Sequence, residues 1–133
     1  MIPNTVETIG EQVFSGCTSL TNIILPFIGD GNNINKFGYI FGNHVPSSLK
    51  EVKITDAKQI AERAFSGCKE VESITIDGVA TSIEDEAFSG CTKLNKIEIL
   101  CNITSINRQA FSNCTSLTSI TIPNTVKEFG HGA

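Results

Sequence analysis

Residues 88–99 read FSGCTKLNKIEI, and residues 111–122 read FSNCTSLTSITI, nearly the same dozen letters 23 positions apart. The phrase occurs four times. Phe14, Phe65, Phe88 and Phe111 are each followed at +3 by Cys, at +6 by Leu or Val, at +9 by Ile and at +11 by Ile or Leu. The cysteine steps are 51, 23 and 23, and the long step holds a divergent copy: Phe41, then Leu49, Val52 and Ile54, with extra residues and no Cys. A flanking phrase also returns, Ile2-Pro3-Asn4-Thr5-Val6 as Ile122-Pro123-Asn124-Thr125-Val126. Self-similarity at a fixed period of this length is the signature of a stacked repeat, in which no unit can bury its apolar face alone.

One unit, Thr81 to Ile99, reads TSIEDEAFSGCTKLNKIEI. Its end, with Ile97 and Ile99 two apart and β-branched, predicts a short strand with both on one face. Its middle, Glu84-Asp85-Glu86-Ala87-Phe88 halted by Ser89-Gly90, predicts a single helical turn with acids at its positive end. Stacked copies lay the strands side by side in a parallel sheet, ~4.8 Å apart. The inward ladders are expected to be Ile9/Ile60/Ile83/Ile106, Phe14/Phe65/Phe88/Phe111, the four repeat cysteines and the Leu-x-x-Ile-x-Ile sets.

The pattern Ile-Pro-x-x-Val-x-x-Ile-Gly-x-x-Ala-Phe-x-x-Cys-x-x-Leu-x-x-Ile-x-Ile, best matched by Ile2 to Leu25 and Ile99 to Ile122, resembles the BspA-like class of leucine-rich repeats. The resemblance covers essentially the whole chain. It implies a leucine-rich-repeat solenoid, curved and right-handed, with a parallel β-sheet on one face and short helical turns or loops on the other, in about five coils. The units run roughly 2–25, 26–54 with an insert, 55–76, 77–99 and 100–122, with a partial unit at 123–133. The resemblance also implies secreted or surface-attached proteins of host-associated microbes, acting by adhesion.

Composition narrows the function. The chain is 40% hydrophobic and 18% charged, with net charge −4 and no run of like charges. That argues against nucleic acid, which wants a basic face. Nothing approaches the ~18 consecutive apolar residues of a membrane span, and Met1-Ile2-Pro3-Asn4 opens no signal peptide. Neither end carries a polar capping segment, so the chain is expected to be an excerpt of a longer array, with end-to-end self-association through its uncapped coils.

The five cysteines do not read as chemistry. Zinc wants close pairs such as C-x-x-C, and a nucleophile wants one Cys beside a His. Cys17, Cys68, Cys91 and Cys114 hold one repeat position and read as small buried hydrophobes, with cross-coil disulfides as the rival. Cys101 stands outside the ladder in the Leu100-Cys101-Asn102 turn and is expected to be more exposed. His44 and His131 are the only histidines, and no nucleophile elbow, phosphate loop or metalloprotease helix is present. No catalytic residue, cofactor or metal is assigned. Asp30-Gly31-Asn32 lacks the alternating acids and closing Glu of a calcium loop. Asn113, which fits a glycosylation triplet, replaces the repeat's turn Gly.

Two places are candidates for binding a protein or glycan. The first is the concave strip of outward strand residues: Asn22 and Ile24, Glu51 and Lys53, Ser73 and Thr75, Lys96 and Glu98, Ser119 and Thr121. Its competing reading is an ordinary solvated face. The second is the insert, Phe27 to Ser48, where Phe37 and Tyr39 among Gly and Asn suit contact with a partner. Its competing reading is a bulged coil whose aromatics tuck onto the core. A stiff spacer, or an accessory module in a larger enzyme, is the alternative to an adhesive module.

Overall fold

The fold is described by a computed structural model covering residues 1–31 and 33–133. The elements follow in order: β1 Asn22–Leu25, a 3-10 helix Phe37–Phe41, β2 Glu51–Ile54, β3 Ser73–Ile76, β4 Ser82–Ile83, β5 Lys96–Ile99, β6 Ser105–Ile106 and β7 Glu128–Phe129. Strands β1, β2, β3 and β5 form one parallel sheet in that order, and β4, β6 and β7 form a second. Every pairing is parallel and joins one repeat to the next, which makes the chain a solenoid.

The strands pair at steps of 29, 22 and 23 residues in the first sheet and of 23 in the second, and the register holds through all of them. Ile23, Val52, Ile74 and Ile97 lie opposite one another, as do Leu25, Ile54, Ile76 and Ile99. All but Ile99, which is half-buried, are buried. The second sheet stacks Ile83, Ile106 and Phe129, with Ile60 bridged to Ile83. Ile9 is buried but joins the stack through the insert, its N–H donating to the Asp30 carbonyl.

The phenylalanine ladder is longer than four rungs. Phe14, Phe41, Phe37, Phe65, Phe88 and Phe111 follow one another at centroid separations of 6.2, 5.4, 4.9, 5.3 and 5.2 Å. Phe37 and Phe41, both from the insert, fill the level between Phe14 and Phe65. The insert is tied in by backbone bonds on both sides, Phe14 N–H to Ile40 O and Phe37 N–H to Ala64 O, each 2.8 Å.

Three expectations are corrected. No helix forms at Glu84–Phe88, where separate tight turns close instead, Ala87 N–H to Glu84 O at 3.3 Å and Ser89 N–H to Glu86 O at 3.0 Å; among the described residues the one helix is Phe37–Phe41. Glu86 is left-handed, φ 54, and so are Gln12, Arg63 and Gln109, each two residues before its Phe. A left-handed residue cannot continue an α-helix. The N–H groups of Glu86, Phe88 and Gly90 instead donate to Arg108, Ala110 and Ser112 of the next coil. The acids therefore face neighbouring coils rather than a helix dipole: Arg63 reaches Glu86 at 3.0 Å and Arg108 reaches Asp85 at 3.5 Å.

The second correction concerns coil number. The main sheet has four strands, and residues 119–122, expected to be the fifth, pair with nothing in it. Ile120 is exposed where its equivalents Ile74 and Ile97 are buried. Ile120 and Ile122 border an open apolar hollow of about 240 Å³ with Leu117 and Phe129. The third correction is Cys101, which is buried. Leu100 points outward in its place, 57% exposed.

Candidate functional site

Alternation along each strand turns one set of side chains outward. Because the register is unbroken across four strands, that set forms two straight rows. Asn22, Glu51, Ser73 and Lys96 make the first, and Ile24, Lys53, Thr75 and Glu98 the second. All eight are exposed or half-buried. Glu51 and Lys96 share a row with β3 between them. Ser119 and Thr121 lie apart from the rows: Thr121 borders a crevice of about 250 Å³ that separates its segment from Ile97 and Ile99 of β5.

Charges on and beside the strip are largely paired. Lys53 lies 3.5 Å from Asp77, and Lys96 2.6 Å from Glu98. Along the edge where the chain enters the strands, Lys50 sits 3.6 Å from Glu70 and 3.8 Å from Glu72, and Lys93 sits 2.7 Å from Glu70. The hydrogen bond from Lys93 holds the Glu70 carboxyl below the usual range, and the same bond raises Lys93. Lys96 is raised by its bond to Glu98. Such exposed pairs add little to stability, but they fix where charged heads stand. Glu51 makes no ion pair among the described residues.

The insert offers less aromatic surface than its sequence promised. Phe37 is 1% exposed and sits in the ring ladder, while Tyr39 is half-buried. The aromatic spacing of the ladder repeats carried the signal: a coil between Phe14 and Phe65 needs ring volume at that level. Asn32, the last residue of the Asp30-Gly31-Asn32 stretch, lies outside the described residues. Among the described residues no group of three His, Cys, Asp or Glu is placed to hold a metal, and no helix is long and apolar enough to cross a membrane.

All five cysteines are free. The Cys91 and Cys114 thiols donate to the Phe65 and Phe88 carbonyls, each at 3.2 Å. Burial pushes the Cys68 thiol up to about 12 and raises Cys91, Cys101 and Cys114. Thiols so protonated are packing groups, not nucleophiles. Asn113 adopts φ 59 at the turn where Gly16, Gly67 and Gly90 are also left-handed.

Parallel strands stacked coil on coil in register, a phenylalanine ladder and an outward strip together define a leucine-rich-repeat solenoid. Residues 1–43 and 33–133 match the BspA type leucine-rich repeat region in six copies, and the chain belongs to that family. A crystal structure of a leucine-rich repeat protein from T. pallidum is similar, at 25% identity and a TM-score of 0.51. The match covers 86% of this chain and 53% of that one, so the chain spans about half the length of that relative. No curated protein matches it.

Proposed function

We propose that this chain is a non-catalytic binding module of a secreted or surface-attached adhesin-like protein, and that the two-row strip holds a protein or glycan. The observation that supports it is the unbroken register of β1, β2, β3 and β5, which lines up eight outward side chains on a rigid sheet. A preorganised backbone of this kind lowers the ordering cost of binding, and weak contacts multiply with repeat number. The apolar hollow at Leu117, Ile120 and Phe129 supports the further reading that solenoids of this kind stack end to end.

The pairing of Lys53 with Asp77 and of Lys96 with Glu98 favours a second reading, a stiff spacer whose surface charge is self-satisfied. One experiment separates the two. The immobilised chain is exposed to extracellular matrix proteins, glycans and bacterial surface extract, beside a chain carrying Lys53→Ala, Thr75→Ala and Glu98→Ala. A partner lost in the triple variant supports the strip. A partner retained would overturn it, and the absence of any partner favours the spacer.

A further inference from the structure

The turns that follow Phe65, Phe88 and Phe111 stack closely on one another. Gly67 N–H donates to Ser89 O and Gly90 N–H to Ser112 O, both at 2.8 Å. A Cβ at Gly90 would stand 3.7 Å from the Gly67 nitrogen, so coil covers coil there. One level earlier the rule breaks. A Cβ at Gly67 would meet nothing within 4 Å. The insert supplies the ring level with Phe37 and Phe41 but does not repeat the Cys turn. What remains is a cleft of about 460 Å³ between Gly38–Val45 of the insert and Arg63–Glu70 of the next coil.

The cleft is cationic on an acidic protein. The chain has ten Lys and Arg. Lys50, Lys53, Arg63, Lys93, Lys96 and Arg108 are in ion pairs. Among the described residues Lys36, Lys58, Lys69 and Lys127 are not, and two of these four, Lys36 and Lys69, line this one cleft. The acid in its wall, Glu70, is neutralised by Lys93 and Lys50. Arg63 in the wall is already held by Glu86. Two lysines without an ion pair among the described residues therefore line the same cleft.

Gly38, Ala64 and Gly67 give part of the wall little bulk, and Asn43, Ser66 and His44 supply polar groups around it. Small apolar patches edged by hydrogen-bonding groups suit the C–H face and hydroxyls of a sugar ring, and the volume falls in the range of small-ligand sites. There is no aromatic platform for a base and no deep apolar pocket for a peptide anchor. We propose that this cleft binds an anionic sugar, one bearing a carboxylate or a sulfate, with Lys36 and Lys69 holding the anion. The site is separate from the strip on the main sheet.

The test is a backbone-amide NMR titration of the whole chain with glucuronate, glucose 6-sulfate, glucose, acetate and inorganic sulfate. Glucuronate, glucose 6-sulfate or both should shift the Gly38, Asn43, Ser66 and Gly67 amides, with glucose, acetate and sulfate much weaker; whichever sugar wins identifies the anion. The exposed pair Lys36→Gln and Lys69→Gln should weaken binding roughly tenfold. Lys58→Gln with Lys127→Gln should leave it unchanged, as should the strip's triple variant. Equal loss in both lysine pairs, equal shifts with acetate or sulfate, or no shift at millimolar sugar would each overturn the proposal.

Discussion

The ring of Phe37 lies 4.9 Å from that of Phe65 and 5.4 Å from that of Phe41, so an inserted segment carries the core of a repeat it otherwise interrupts. The two insert rings take the place of one repeat rung. Phe37→Ala should therefore cost as much as removing a regular rung, ~3–5 kcal/mol for a buried Phe. Phe111→Ala, at a half-buried rung, should cost about half as much. Urea unfolding of the two variants checks this. A loss for Phe37→Ala well below that for Phe111→Ala would mean that the insert is not part of the stack.

The cysteines make an ordering prediction. Cys17 and Cys114 are half-buried, whereas Cys68, Cys91 and Cys101 are buried. Native protein treated with a thiol reagent at mildly alkaline pH should be labelled first at Cys17 and Cys114. Cys68 and Cys91 should react only on unfolding, since burial raises both thiols. Peptide mapping of the labelled chain reads the order. Early reaction of Cys101 would return it to the exposed position its sequence context implied.

Cys101 also shows where the sequence was legible and where it was not. Ladder positions are dictated by period, and Phe88, Ile97 and Cys91 could be placed by counting alone. A turn between ladders has no period to obey. Whether Leu100 or Cys101 faces in depends on local backbone direction, which residue type does not encode, and the larger apolar group went outward. The missing helix has a similar cause. The acidic stretch Glu84-Asp85-Glu86 suits a helix start, but bonding to the next coil places Glu86 in the left-handed region. That competitor is tertiary and invisible within one repeat. The strip was readable because alternation on a strand needs only strand ends, and Ser119 and Thr121 departed from it because their segment joins no strand of the sheet.

That unpaired segment is measurable. Amides of β3, flanked by β2 and β5, should exchange with solvent far more slowly than those of residues 119–122, which make no bond into the sheet. Hydrogen exchange followed by mass spectrometry resolves the two segments. Similar protection would place a fifth strand against β5 in solution.

The Arg63–Glu86 pair predicts an acid dependence with a definite sign. Arg63 bonds Glu86 through two nitrogens, at 3.0 and 3.2 Å, and this bond above all holds the Glu86 carboxyl below its ordinary range. Arg108 lies 3.7 Å from the same carboxylate and adds to the effect. A group whose folded-state value is depressed stabilises the fold above its unfolded value, about 4.3 for Glu, and loses that contribution as pH falls through the folded value. Glu86 should therefore titrate below an ordinary glutamate by carboxyl-carbon NMR. Arg63→Gln should return it most of the way, with Arg108 sustaining the remainder. Glu86→Gln should make stability less sensitive to pH in this window and leave it unaffected near neutrality in slope. An unchanged Glu86 titration in Arg63→Gln would show that the pair does not persist in solution, and that coil-to-coil contact on this side rests on the backbone ladder alone.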